Sequence, residues 1–215
     1  MITLDHLQKS YAGFQLDCTL EVRPGYVTGL IGRNGAGKST TFKLLLGLTR
    51  PDGGSGSVLG KPLDALTAAD RQHVGVVLSD ACFNGNLTIN DIVPILAALF
   101  DHFNKDDFLR RANEMNLPLK KKINQFSTGM LAKLKVLIAT SHDAKLLILD
   151  EPTAGLDPLA RDDLLDEKKT TSAPSSSAPI FPAISKISAT ISTCSTTVTS
   201  SSTKTPTCSC LITPC

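Results

Sequence analysis

The chain has 215 residues, enough for one domain of about 170 residues with a substantial core plus an appendage. Its 22 basic and 20 acidic residues are interspersed and leave a net charge of +2, so there is no broad basic face and nucleic acid is excluded as a partner. The acid-bearing N-terminus has no apolar leader-like run, and the longest apolar stretch, Ile92 to Phe100, is too short to cross a bilayer; both features point to a cytosolic chain.

In chain order, FQLDCTLEV alternates apolar and polar residues and leads through a turn at Pro24 and Gly25 into the apolar run Val27 to Ile31. This predicts an edge hairpin followed by a buried strand. A glycine-rich turn comes next, then a helix over STTFKLLLGL that ends at Gly47. PDGGSGSVLGKPL is a hairpin region, HVGVVL a second short buried strand, and the segment from Leu87 to Leu117 a helical region broken by Pro94. Ser127 is placed to cap a helix over the residues that follow it, and KLLILD closes the series as a buried strand ending on a carboxylate. Buried strands alternating with helices give an α/β chain built on a mostly parallel sheet. Cys18 and Cys82 stand alone and read as small buried thiols; Cys194, Cys208, Cys210 and Cys215 lie in the tail at spacings that match no zinc pattern.

Two stretches carry chemistry. GRNGAGKST, Gly32 to Thr40, fits the phosphate-binding spacing G-x-x-x-x-G-K-[ST] and lies between a buried strand and a helix, where that motif must sit. Gly32, Gly35 and Gly37, with Arg33, Asn34 and Ala36 between them, let the backbone turn its N–H groups toward phosphate oxygens, and the helix adds its positive end. Lys38 would reach the β and γ phosphates, Ser39 would offer a hydroxyl to Mg²⁺, and Thr40 would bond the α phosphate. In LLILDEP, Asp150 is placed to hold Mg²⁺ and Glu151 to accept a proton from an attacking water.

Together these residues resemble the ATP-binding cassette (ABC) ATPases, the nucleotide-binding subunits of transporters, over residues 1 to about 167. FSTGM, Phe126 to Met130, is similar to the family signature, and TAGLDP to its D-loop. The resemblance implies a P-loop (RecA-like) core with an N-terminal antiparallel β subdomain and a helical signature subdomain at roughly 80–140. It implies ATP and Mg²⁺ as ligands, Tyr11 stacked on adenine, and a head-to-tail homodimer or heterodimer. In that dimer Ser127, Thr128 and Gly129 of one subunit face the ATP of the other, and Asp157 lies near the partner's catalytic water. A membrane permease on a separate chain would be the partner, with this subunit at the inner face of the membrane; the VLSD and STGM sequences look more like export-type cassettes. A soluble, non-transport ABC ATPase and an ATP-binding but hydrolysis-impaired product of a damaged gene are the alternative readings.

Three departures bear on that reading. Ser79 and Asp80 stand where the family has a metal-contacting glutamine, with Asp80 a candidate for metal or water. Thr128 and Met130 replace a glycine and a glutamine of the signature. His6, His73, His102 and His142 all precede Asp150, so the family's switch histidine is missing. After Lys169 half of the residues are Ser or Thr and none is acidic, so 168–215 is expected to be a disordered tail. A flexible linker, an O-glycosylated stalk, which a cytosolic chain argues against, and a shifted reading frame beginning near Glu167 or Lys168 are the readings of this composition. The frameshift is favoured, since Ser176 to Ser192 read one base over is compatible with LFSTHIPSDLENIYDYI, in which the histidine falls at Ile180. Loss of the native strand is expected to leave an unpaired sheet edge beside the strand ending at Asp150, with poor stability and slow hydrolysis.

Overall fold

The computed structural model describes residues 1–79, 83–151, 189–194 and 209–214, the last two segments as backbone strands. The first sheet is antiparallel. Strands β1 (Ile2–Tyr11) and β2 (Phe14–Val22) form a hairpin, and β4 (Gly53–Val58) with the short β5 (Lys61–Pro62) completes the order β2-β1-β4-β5. Along β2 buried and exposed residues alternate, so one face is covered. In β1 the alternation slips: Leu4 and Leu7 are both buried, and an irregularity between them, with His6 at φ 45°, restores the register. That slip hides β1 from a reading of sequence periodicity. The Pro24–Gly25 turn carries the chain from this sheet to the other; the hairpin closes earlier, between Tyr11 and Phe14.

The second sheet takes β3 (Tyr26–Ile31), β6 (Val74–Val77), β7 (Leu146–Leu149), β8 (Ala189–Cys194) and β9 (Ser209–Pro214) in the order β6-β7-β8-β3-β9. Its first four strands run parallel, and β9 pairs antiparallel with β3. The expectation of an open edge beside the strand ending at Asp150 is therefore corrected. β8 lies against β7 from Leu146–Ala189 to Leu149–Ser192. Two segments of the tail are strands of the sheet, and such a ladder needs only backbone groups.

Helix α1 (Lys38–Leu45) packs Phe42, Leu44 and Leu45 into a core shared by the antiparallel sheet and by Leu30, Leu146 and Ile148 of the parallel one. A second core belongs to the helical region. There Ile92 and Leu96 of α3 (Ile89–Leu99), Phe108 and Ala112 of α4 (Lys105–Glu114), and Leu134 and Leu137 of α5 (Thr128–Ala139) meet. A four-residue helix, α2 (Ala68–Arg71), precedes β6. Helix α3 runs unbroken through Pro94, which corrects the expected break: the ring sits on the exposed side, and only one intrahelical bond is given up. Its start is fixed by a capping box in which Thr88 and Asp91 exchange hydrogen bonds, and those bonds from the Thr88 hydroxyl and amide hold the Asp91 carboxyl below the usual carboxylate range. Among the described residues no helix is long and apolar enough to cross a membrane.

Val77 and Leu147 on the other face of the parallel sheet meet Val136 and Ala139 of α5. Gly75 allows that contact, since a Cβ there would lie 2.2 Å from the Ala139 carbonyl oxygen and 2.9 Å from Leu147 Cδ1. Gly75→Ala should therefore cost about 1–3 kcal/mol of stability. The measurement is a urea midpoint that falls while the slope of the transition stays constant.

Candidate functional site

The glycine-rich loop joins β3 to α1 and needs backbone conformations that only glycine adopts cheaply. Gly35 and Gly37 have φ of 80° and 93°. Gly37 is doubly constrained, because a Cβ would lie 2.8 Å from Leu16 Cδ1 and 3.0 Å from Phe14 Cζ on the antiparallel sheet. The loop is closed from within by the Ala36 amide, which donates to the Arg33 carbonyl at 3.0 Å.

The start of α1 is built against the usual preferences. Its N-cap is Gly37, no side chain caps it, its first turn holds no acid, and its first residue is a lysine. The amides of Lys38, Ser39 and Thr40 have no carbonyl one turn earlier to bond. A cation at the positive end of a helix dipole is unfavourable unless an anion joins them. Lys38 is buried, and its ammonium donates to the carbonyls of Gly32 at 2.8 Å and Arg33 at 3.1 Å, which hold it across the loop.

Parallel pairing of β6 and β7 delivers the other half of the site. Asp150 follows β7, its amide donating to the Val77 carbonyl at 2.7 Å, and the residue is only 2% exposed. Two hydroxyls converge on its Oδ2: Ser39 Oγ donates at 2.8 Å and Ser79 Oγ at 3.2 Å. Glu151, next in the chain, has φ 49°, a left-handed conformation that costs a non-glycine residue roughly 1 kcal/mol or more. That turn sets Glu151 in the wall of a cleft of about 470 Å³, together with Asn34, Gly35, Lys38, Thr40 and Ser79.

The donor set fits a hard divalent cation beside a polyanion: serine and carboxylate oxygens at one end, uncapped amides and an ammonium at the other. Ser39 and Asp150 are the residues that would hold magnesium, and the loop from Gly32 to Thr40 would hold a triphosphate.

The remaining sequence candidates divide. Tyr11 is half exposed at the end of β1, its ring 6.4 Å from that of Phe14, and Lys9 Nζ lies 5.6 Å from its centre. Phe14, which the sequence reading passed over, lines the cleft. Its signal was its place three residues after Tyr11 across a tight turn. Ser127 caps α5, accepting a hydrogen bond from the Met130 amide at 3.2 Å; it and Thr128 are exposed, Gly129 is half-buried, and none of the three lines the phosphate cleft of its own chain. Asp80 and Asp157 lie outside the described residues.

Comparison with known proteins extends these observations. The chain matches the ABC transporter family over residues 16–154. It is similar to the Nod factor export ATP-binding protein I of Burkholderia pseudomallei (strain 1710b), 36% identical over 151 residues that cover 66% of this chain and 49% of that one. An uncharacterized ABC transporter ATP-binding protein of Synechocystis sp. (strain ATCC 27184 / PCC 6803 / Kazusa) is 38% identical over 152 residues, 66% of this chain and 42% of that one. The chain thus spans about half the length of the curated relatives it matches. Among solved structures, an ATP binding subunit of an ABC transporter superposes with a TM-score of 0.71 at 28% identity, covering 90% of this chain and 79% of that one. The dimeric bacterial ABC transporter cassette MJ0796 superposes at 0.69 over 90% of this chain and 88% of that one, and at 18% identity it speaks for the fold alone. A phosphate loop facing a buried strand-end carboxylate, in a P-loop fold matched over most of the described residues, therefore has a family: the chain belongs to the ABC transporter family.

Proposed function

We propose that the chain is the ATP-binding and ATP-hydrolysing subunit of an ABC transporter, powering a separate membrane permease. The observation that carries the reading is the 2.8 Å bond from Ser39 to Asp150, which joins an uncapped, lysine-led helix start to a buried carboxylate. The loop amides and Lys38 bind and orient the triphosphate, and Thr40 holds its α phosphate. Phe14 in the cleft lining, with Tyr11 beside it, would offer the rings on which an adenine stacks. Glu151 accepts the proton of the attacking water, from a turn that fixes its carboxylate in the cleft wall. Magnesium, when bound, neutralises charge on the β and γ phosphates. Asp80, outside the described residues, is a further candidate acid for metal or water.

Two chains would assemble head to tail, each supplying Ser127, Thr128 and Gly129 to the nucleotide of the other and Asp157 to the interface. Support comes from the exposure of that cap and its absence from the lining of its own cleft. The chain would then lie on the cytoplasmic face of a membrane through its permease. The names of the Nod factor export relatives favour outward transport. We attribute the Ser/Thr-rich composition after Lys169 to a reading frame shifted near Glu167 or Lys168, positions that lie, like Ile180, outside the described residues. Sequencing the gene across codons 160–170 tests it: a single inserted or deleted base relative to related genes is expected, and an unbroken frame overturns it.

Lys38→Ala should weaken ATP binding in calorimetry by about 10- to 100-fold, the value of a charge-assisted hydrogen bond. Glu151→Gln should keep that affinity and lower the residual hydrolysis rate by about 10²–10⁴-fold. An unchanged affinity in the lysine variant defeats the assignment of the loop.

Ser127→Arg should leave binding of one ATP per monomer intact and abolish ATP-dependent dimers on size-exclusion chromatography in a Glu151→Gln background. A fall in monomer affinity as large as that of Lys38→Ala would place the signature in its own chain's site instead.

A further inference from the structure

The carbonyls just beyond β6 have partners that the family motifs do not include. Strand β6 ends at Val77, whose carbonyl accepts the Asp150 amide at 2.7 Å. The next two carbonyls, of Leu78 and Ser79, have passed the end of the ladder, and both accept from Lys135 Nζ, at 3.1 and 3.2 Å. Lys135 stands in the middle of α5, the helix that Ser127 caps. Its side chain borders an apolar cleft of about 240 Å³ beside Leu78, Phe83, Leu131 and Ile138. The bond to the Ser79 carbonyl is at the surface, and the bond to the Leu78 carbonyl is part-buried, where an ammonium and a strand-end carbonyl each need a partner. Each satisfies the other.

We propose that Lys135 is a positioning residue for the nucleotide site. By clamping two consecutive carbonyls it holds the Leu78–Ser79 peptide in one orientation, and so aims Ser79 Oγ at Asp150 Oδ2, the oxygen that also receives Ser39. The hydroxyl of Ser79 then acts as the guide of the metal-holding carboxylate. The clamp also means that a displacement of the signature helix moves Ser79, so the end of α5 offered to a second subunit is tied to the buried carboxylate of Asp150. The proposal rests on the reading of Ser39 and Asp150 as the magnesium-holding pair.

The test is a magnesium titration of the full chain at a fixed concentration of a fluorescent ATP analogue, with a parallel titration of the analogue in EDTA. Lys135→Met should raise the half-saturating magnesium concentration by about tenfold, the usual effect of removing a residue that orients a metal ligand. Its affinity for the analogue in EDTA should match the wild type, and Lys135→Arg should restore most of the magnesium dependence. Ser79→Ala should give a shift of the same size, and the double variant no more than either single one. An unmoved magnesium midpoint in Lys135→Met, or shifts that add in the double variant, overturns the proposal. If Lys135→Met does not fold, Ser79→Ala decides: an unmoved midpoint there is equally fatal. Magnesium-independent binding by the wild-type chain would instead overturn the reading of Ser39 and Asp150, and with it this one.

Discussion

A carboxylate withdrawn from water organises this molecule. Asp150 is almost fully buried, and a buried charge is costly unless its oxygens are met by donors or cations. Here the donors are hydroxyls from two different segments, the start of α1 and the end of β6, and they share one oxygen. Hydroxyls can surrender that oxygen to a cation without leaving an unpaired ammonium behind, and they can turn to become acceptors themselves. A lysine in the same place would neutralise the carboxylate permanently. The arrangement therefore holds the site together and keeps it receptive.

The two sheets serve this point in different ways. The parallel sheet brings the ends of β3, β6 and β7 to one edge, where the chain leaves each strand toward the cleft, as open α/β sheets generally do. The antiparallel sheet supplies a wall: Leu16 and Phe14 press against Gly37, so the phosphate loop is backed by packed side chains. The helical region has its own core and meets the parallel sheet through α5, where Gly75 lets the helix backbone approach the strand closely. The end of α3 makes a second connection, the Asp101 amide donating to Gln72 Oε1 just before β6.

Position along α5 gives that helix two roles. Its first turn presents Ser127 and Thr128 to the outside, while its middle reaches the carbonyls after β6. Lys135, on the helix that the signature opens, thus touches the segment whose Ser79 reaches Asp150. In the same way Ser79 reaches Asp150 with a short side chain and a single donor, keeping a polar contact at the carboxylate.

The sequence by itself determined the phosphate loop, the carboxylate pair of Asp150 and Glu151, the cap at Ser127 and the class of the fold. Those features follow from local rules: glycine where φ is positive, apolar runs where a strand is covered on both faces, a hydroxyl before a helix. Strand β1 escaped because its bulge breaks the alternation, and Pro94 misled because one lost hydrogen bond on an exposed face does not end a helix held by Ile92 and Leu96. Tertiary structure alone decided that Ser39, Ser79 and Asp150 meet, that Phe14 faces the cleft, that Lys135 spans to the end of β6, and that β7 is flanked by β8. Each of these joins groups far apart in the chain, and no spacing within a segment encodes which distant oxygen a hydroxyl or an ammonium will reach once the sheets have packed.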